Sequence, residues 1–579
     1  MRNHKPKRWD ILPDDIQAEA RLQIELGVHP IVARILVQRK IVTPEDADRF
    51  LNPTLDRLHD PFLLPDALPA CERIKQALAQ NEKILVHGDY DGDGVTSAAL
   101  WTRVLRSLGA DADVFVPNRS DGYDMRMPFI EDAKSRGAKL IITTDCGIQR
   151  VDEVERARHA GIDVIITDHH KPNTSGELPR AVAVVNPHRK DSRYPFPDIA
   201  GVVVAFKMGE ALTRHLGHNP NKYRKAFLDL AAIGTITDVM PLIDENRIIV
   251  KHGLEALQNT KKPGLRALRD VCGYRDKVLD TYTVSHGMGP RLNAASRMAE
   301  TEAALNILLT KDEAEGQRLA SKLNEYNIQR KDELSRIFEE AMEQVVRQDM
   351  AEAKCLVLSS ANWTGGIVGL VASKMAERFH RPCIVISMNE ATGIGRGSAR
   401  SILGFNILDA IDACRDLLSE YGGHVYAAGL SIAHDNVPDF SAQMNRIAGS
   451  LLQDEDLLPT LDVAAEIAPG EICHQLLHQI ETLAPFGCCN HEPLFVSRSV
   501  PIVEVNRMGA EKQHLNLTLR ADGVNRFDSV RCPWFSRGEL AEGLDVGMSL
   551  DVCYKPQFNH WNGHTNIQFM IEDISPPEW

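Results

Sequence analysis

The sequence predicts a multidomain α/β chain: a doubly wound parallel sheet, a second α/β lobe reached through one long helix, and a small all-β barrel near the C-terminal end. Three observations carry this. Residues 83–186 alternate β-branched runs with amphipathic segments, the pattern of a parallel sheet with crossover helices. Residues 310–350 keep a helical apolar period without a break, and from about 494 onward apolar and polar residues alternate in short runs between turn residues. A chain of 579 residues, 43% apolar and 25% charged, is long enough for several such domains with large cores.

Residues 1–80 read as a helical segment that packs on the first α/β domain. The start, "MRNHKPKRWD", is basic, but no apolar signal region follows it and no window approaches the ~18 apolar residues of a membrane span. A cytoplasmic protein with no membrane partner is expected. The 11 cysteines are scattered and odd in number, with no C-x-x-C, so they predict buried thiols rather than a disulfide framework or a zinc ribbon.

The first α/β domain, residues 81–309, takes its strands from "KILV" (83–86), "ADVFV" (112–116), "KLIITTD" (139–145), "IDVIITD" (162–168) and "AVAVVN" (181–186). Ligands of such sheets collect at the carboxyl ends of the strands. There the polar residues line up. Asp89, Asp91 and Asp93 of "DYDGDG" follow the first strand, Asp145 ends the third, Asp168-His169-His170 ends the fourth, and Asp238 follows another apolar run. Carboxylates gathered on one rim repel one another unless a cation sits between them. Oxygen donors with an imidazole suit Mn²⁺ or Mg²⁺. A calcium loop would need a Glu twelve positions along from Asp89, where Leu100 stands.

The motifs "DYDGDG", "TTDCG", "TDHH" and "GTITDV" resemble, in that order, those of the DHH phosphoesterase superfamily. Over nearly the whole chain the match is to its bacterial branch that degrades single-stranded DNA 5′→3′. The segments "ILVQRKIVTPEDADRFLNP", "LHDPFLLPD", "MGPRLNAASR", "GRGSARS", "GGHVYAAG" and "WNGHTNIQF" carry that closer resemblance. It implies a metal-dependent exonuclease of recombination and repair that releases mononucleotides from a 5′ end. One ion is held by Asp91, Asp145 and Asp238, and a second by Asp93, Asp145 and His169, with Asp145 bridging. An extra ligand position falls to His87 or Asp89, a choice the motif leaves open. His170 and Asp89 are implied at the scissile phosphate. Two such ions, ~3.5–4 Å apart, clamp the attacking and leaving oxygens of an in-line displacement.

Residues 310–350 read as the connecting long helix, opened by a Thr310/Glu313 capping box and roughly 50 Å long. Beyond it the second lobe, 351–460, is built on "CLVLSS" (355–360) and "PCIVIS" (382–387). Its "GIGRGSARS" sets glycines beside arginine, and glycine lets backbone N–H groups approach a phosphate that guanidinium binds bidentately. The resemblance makes this lobe the DHHA1 domain. It implies a 5′-phosphate pocket of Arg119, Arg291, Ser398 and Arg400, with Asn293 a further substrate contact and His424 either near the scissile group or a buried histidine in a tight turn. Residues 461–579 are read as a linker and an oligonucleotide-binding (OB) barrel, on which Tyr554, Phe558 and Trp561 are candidates to stack on bases or to be core. Residues 494–579 hold 8 Lys/Arg against 11 Asp/Glu, so charge does not favour DNA there.

The whole-chain charge of −14 argues against nucleic acid only bluntly, since metal-holding acids inflate the count while a local groove stays basic. A helicase and a single-strand-binding protein are candidate suppliers of DNA ends. Two other functions compete: a DHH phosphodiesterase for oligonucleotides or cyclic dinucleotides, or a pyrophosphatase, for which the chain is over-elaborate, and a non-catalytic repair scaffold, for which it keeps too many metal-site acids. Thr364 stands where a histidine is common in the family, Ser296 where glycine is common, and "PFGCCNHEP" replaces a glycine-asparagine-proline string.

Overall fold

The computed structural model describes residues 7–119, 124–173, 175–298, 300–350, 352–525, 528–561 and 563–577, without the side chain of Trp561. The chain divides into two compact units, Thr54–Leu457 and the residues up to Pro53 together with those from Leu458 on.

The first unit contains the predicted parallel sheet. Its five strands run in the order Ala112–Phe115, Ile84–Gly88, Leu140–Thr144, Asp163–Thr167 and Ala183–Val185, every neighbouring pair parallel. Helices cover both faces, so strands such as Ile84–Gly88 and Leu140–Thr144 are buried at every position, which is why they read as unbroken β-branched runs. The chain leaves Ile84–Gly88 toward one edge and returns on its other side at Leu140–Thr144. A crevice therefore opens between the carboxyl ends of these two strands.

The long helix runs Glu313–Arg347, about 52 Å at ~1.5 Å per residue. Its cap is Asp312, whose carboxylate accepts from Glu315 N at 2.7 Å. Thr310 instead accepts from Asp312 N at 3.2 Å and so fixes the approach to the helix rather than capping it. A second, mixed sheet follows in the order Leu418–His424, Ala427–Ala433, Ile394–Arg400, Cys383–Asn389 and Leu356–Ser360. Only its last two strands are parallel to each other.

In the other unit a seven-stranded sheet closes on itself through antiparallel pairing of Leu494–Met508 with Ser549–Trp561. Tyr554 is core: fully buried, stacked on Phe569 at 4.1 Å between ring centroids, its hydroxyl 2.9 Å from Ser497 Oγ. It is not available to bases. Phe558 is partly buried, 4.6 Å from the His478 ring. The side chain of Trp561 lies outside the described residues.

The N-terminal residues divide, against the expectation that 1–80 packs as one piece on the first α/β domain. Ala67–Ala79 does pack there, through Ala70, Ile74 and Ala77. Arg8–Ile11 instead adds a parallel strand beside Thr460–Glu466, and Leu22, Val32, Leu36 and Phe50 enter the same core as Ile472, Leu476 and Ile480. An amphipathic helix declares an apolar face but not its cover. Among the described residues no helix is long and apolar enough to cross a membrane.

Leu36 is fully buried in that shared core, so Leu36→Ala should cost about 2–5 kcal/mol. Native-state hydrogen exchange should show lost protection in strands between 494 and 575, with Ile84–Gly88 unchanged. Loss confined to Ile84–Gly88 would return the N-terminal helices to the other unit.

Candidate metal centre and phosphate pocket

The first loop follows from its glycines. Asp91 caps the helix Gly92–Ser107, its Oδ1 accepting from Asp93 N and Gly94 N at 3.0 Å each. A Cβ on Gly94 would stand 2.4 Å from the Asp89 carbonyl oxygen, so this turn admits nothing larger. Asp93 points inward and accepts from Gly201 N at 2.6 Å and Val202 N at 2.8 Å, the N-terminal amides of the helix Gly201–His215, where a negative charge is favoured. Asp145 is held at φ +60°, a costly conformation for a non-glycine residue that is tolerated where function demands it. A Cβ on Gly201 would lie 2.6 Å from the Asp145 carboxylate. Asp238 ends the helix Pro220–Thr237.

His169 Nε2 is 3.2 Å from Asp145 Oδ1, 3.7 Å from Asp238 Oδ2 and 3.9 Å from Asp93 Oδ2. Three ligand-capable groups result: Asp93, His169 and Asp238; Asp89, Asp91 and Asp145; Asp145, His169 and His170. Of the predicted site, Asp89, Asp91, Asp93, Asp145, His169, His170 and Asp238 come together. Asp238 groups with Asp93 and His169, and its charge, like that of Asp91, also acts on Asp145.

His87 is not part of this set. Its ring lies edge-on to Phe129 at 4.4 Å and its Nδ1 is 3.6 Å from Cys146 Sγ. Burial holds it down at about 3, a neutral ring in the core below the strand end. Asp89 takes the place in the cluster that the sequence left open between the two.

The electrostatics fit a divalent cation. Burial, then neighbouring carboxylates, push Asp93 up to about 7 and Asp238 up to about 9, and raise Asp89 and Asp145 well above the usual carboxylate range. Asp89 Oδ1 is buried with no hydrogen-bond partner. Four such groups ionise together only around positive charge, and their oxygen-rich donors with one imidazole suit Mn²⁺ or Mg²⁺. Asp168, which the motif places between strand and histidines, accepts from His169 N, His170 N and His170 Nδ1 at 2.7, 3.0 and 2.8 Å and from Ile148 N at 3.0 Å. Against the effect of burial, these contacts hold its carboxyl well below the usual range. The same pairing, against burial, raises His170 to about 9, while burial and the His170 charge lower His169 to about 4. One histidine is thereby a cation and the other a neutral ligand.

Beside the carboxylates lies an arginine cluster. The Arg119 guanidinium lies 4.3 Å from the centroid of the Tyr90 ring, and its Nε is buried without a hydrogen-bond partner. Arg400 donates to Ser398 Oγ at 3.1 Å and to Ala399 O at 2.8 Å; Gly369 leaves them room, since a Cβ there would lie 3.0 Å from Ser398 Oγ. Arg297, which the sequence reading did not single out, also belongs to this cluster. Arg297 is half-buried, donates to Gly366 O, and is lowered to about 9 by desolvation and by the charges of Arg119, Arg330 and Arg400. Arg291 is committed elsewhere, to Asn324 Oδ1 at 2.8 and 3.1 Å and to Gly287 O at 2.8 Å. The two arginines, six residues apart on one helix, point roughly 120° apart at ~3.6 residues per turn, so only one faces the pocket. Their shared motif offered both, and sequence alone gave no means of choosing. Asn293, on the same helix, has a buried Oδ1 without a hydrogen-bond partner. His424 is exposed, paired through Ala427 in register with Arg400, so it leaves the same face of the sheet and is not a buried turn residue.

A parallel sheet with acidic strand ends and a second lobe bearing a basic strand define a DHH-type phosphoesterase. Residues 83–235 match the DHH family, N-terminal domain, and residues 352–450 the DHHA1 domain. Residues 463–573 match the RecJ OB domain, and the chain belongs to the RecJ family. It is 38% identical over 573 residues to the single-stranded-DNA-specific exonuclease RecJ of Bacillus subtilis (strain 168), covering 99% of this chain and 71% of that one. With RecJ of Escherichia coli (strain K12) the identity is 31%, over 97% and 98% of the two chains. The crystal structure of RecJ in complex with Mn2+ from Thermus thermophilus superposes with a TM-score of 0.84 at 30% identity, covering 100% of this chain and 81% of that one.

Because Gly201 touches Asp145, Gly201→Ala should displace that carboxylate while costing the fold only about 1–3 kcal/mol. Calorimetric titration with Mn²⁺ should show affinity lowered at least tenfold at a temperature where the variant is folded; unchanged affinity would separate Asp145 from the ion.

Proposed function

We propose that this chain is a divalent-metal-dependent exonuclease that hydrolyses single-stranded DNA from its 5′ end and releases mononucleotides. The observation that carries the reading is Tyr90. Its ring lies under Arg119, and it feels the charges of Asp89 and Asp91 on one side and of Arg119 and Arg297 on the other. The anion pocket thus adjoins the metal centre, and the Arg119 charge acts on Asp89 directly. A terminal phosphate held by Arg119, Arg297, Ser398 and Arg400 sets the next phosphodiester at the carboxylates.

Asp93, Asp238 and His169 would hold one Mn²⁺ or Mg²⁺ ion, and Asp89, Asp91 and Asp145 a second. Once bound, the ions neutralise charge on the attacking and leaving oxygens. His169 is neutral and therefore offers a lone pair. His170, kept protonated by Asp168, supplies a fixed positive donor to the scissile phosphate. Asn293 and His424 line the path of the strand, and Trp561 is a candidate to stack on a base of the DNA. The setting is the cytoplasm, in recombination and repair, where a helicase and a single-strand-binding protein supply the ends.

Asp145→Asn should abolish hydrolysis of 5′-labelled single-stranded DNA while filter binding of the same strand persists; hydrolysis surviving at saturating Mn²⁺ would sink the metal assignment. Arg297→Ala and Arg400→Ala each remove a charge-assisted bond of about 1.5–3 kcal/mol, roughly ten- to 150-fold. In kcat/KM, that loss should fall on 5′-phosphorylated strands and spare 5′-hydroxyl strands. Arg291→Ala should show no such preference, and equal losses on both substrates for Arg297→Ala and Arg400→Ala would make the cluster a general backbone contact.

A further inference from the structure

In the unit that carries the barrel, Gly487 and Asn490 close a two-residue loop. Gly487 N donates to Asn490 O at 2.9 Å and Asn490 N to Gly487 O at 3.1 Å. The loop residues are Cys488 and Cys489, whose sulfurs lie 3.8 Å apart. Cys489 takes φ +58°, the left-handed region that glycine occupies without cost and a Cβ-bearing residue does not. The turn is nevertheless firmly held: the buried Asn490 amide donates to Leu483 O at 2.9 Å and to Pro485 O at 2.7 Å. Cys489 is exposed and Cys488 half-buried, whereas seven other cysteines are buried, Cys272 is half-buried and Cys473 is exposed.

We propose that Cys488 and Cys489 are a redox-active vicinal dithiol, closed reversibly to a disulfide by exchange with a low-molecular-weight disulfide. One cysteine thiolate attacks the external disulfide, forming a mixed disulfide and releasing one external thiol. The second cysteine then attacks the protein-side sulfur, closing the ring and expelling the other external thiol. In balance, two cysteine thiols and one external disulfide become one internal disulfide and two external thiols. The sulfurs need close only from 3.8 Å to about 2.05 Å, on a turn held at both ends by the Gly487–Asn490 pairing.

Burial and the adjacent sulfur push the Cys488 thiol up to about 11, so the exposed Cys489 is the sulfur that meets the oxidant and Cys488 the one that resolves it. Consecutive Cα atoms stand ~3.8 Å apart, short of the ~4.4–6.8 Å usual between bridged cysteines. The ring is therefore strained, and strained, exposed disulfides are the readily reduced ones. The pair fits a reversible modification rather than a structural staple.

The test uses the full chain, incubated with oxidised glutathione, alkylated without reduction, digested and weighed by mass spectrometry. The peptide bearing both residues should lose both sites of alkylation, appear lighter by two hydrogens than the reduced peptide, and regain both sites after dithiothreitol. Cys488→Ser should instead retain a stable glutathione adduct on Cys489, and Cys473→Ser should close the ring as the unaltered chain does. Alkylation of both cysteines after oxidation, a persistent glutathione adduct in the unaltered chain, or a bridge from Cys489 to Cys473 would each overturn the proposal. The unaltered chain alone decides it if a variant fails to fold.

Discussion

The site is built around the carboxylate of Asp93. Its two oxygens accept the Gly201 and Val202 amides, so the loop after the first strand is tied to the N-terminus of a helix more than a hundred residues further on. That helix in turn presents Gly201 to Asp145 without a Cβ between them. Through this contact the first loop, the third strand end and the helix that follows the sheet are held at fixed spacing. A buried anion at a helix N-terminus stabilises itself partly through the oriented amides, but Asp93 remains raised, to about 7. The amides set the geometry, and the remaining charge is left for a cation to balance.

That division explains which residues serve the chemistry directly and which only aim. Asp168 satisfies its oxygens on the His169 and His170 amides, the His170 ring and Ile148 N, so it has no stake in binding an ion. It makes one histidine cationic, and that cation in turn helps keep its neighbour neutral. Two identical side chains side by side thereby acquire opposite jobs from one carboxylate, a difference composition cannot record.

The sheet and the metal ligands were legible in sequence for a common reason. Strands buried on both faces are nearly uniform in β-branched residues, and ligands follow them within a few positions, so both signals are local. What lay beyond local reach was which face of an element meets which neighbour. Arg291 and Arg297 share a motif, and only the packing of their helix against Asn324 of the long helix decides that Arg291 is spent there. Tyr554 looked like a stacking aromatic because alternation is the same for a barrel's inner and outer residues once register is unknown. Leu22, Val32 and Leu36 give an apolar stripe, yet nothing in their spacing names the Ile472–Ile480 segment as cover. His87 differs in another way: it lies inside the strand Ile84–Gly88, whereas the carboxylates follow the strand's end, and its ring packs among Phe115 and Phe129.

The arginine cluster proposed to hold phosphate draws on elements that are far apart in the chain: Arg119 after the strand Ala112–Phe115, Arg297 at the end of the helix Gly289–Arg297, Arg330 from the long connector, and Arg400 from the second sheet. Desolvation and mutual repulsion of these half-buried guanidiniums oppose this assembly, as the lowering of Arg297 to about 9 registers, and it is held by neutral acceptors such as Gly366 O, Ala399 O and the Asn327 carboxamide. Pairing with Asp or Glu would cancel the field a phosphate needs. The pocket is therefore kept electrostatically unsatisfied, just as the carboxylate cluster is, with opposite sign. The two adjoin, since the Arg119 charge reaches Asp89 and partly offsets its raised carboxyl. A chain end that brings a terminal phosphate and a phosphodiester together relieves both imbalances at once, whereas an anion without a neighbouring phosphodiester relieves only one. On the proposed function, selection for the end of a strand would rest on these two incomplete charge distributions together rather than on any single residue.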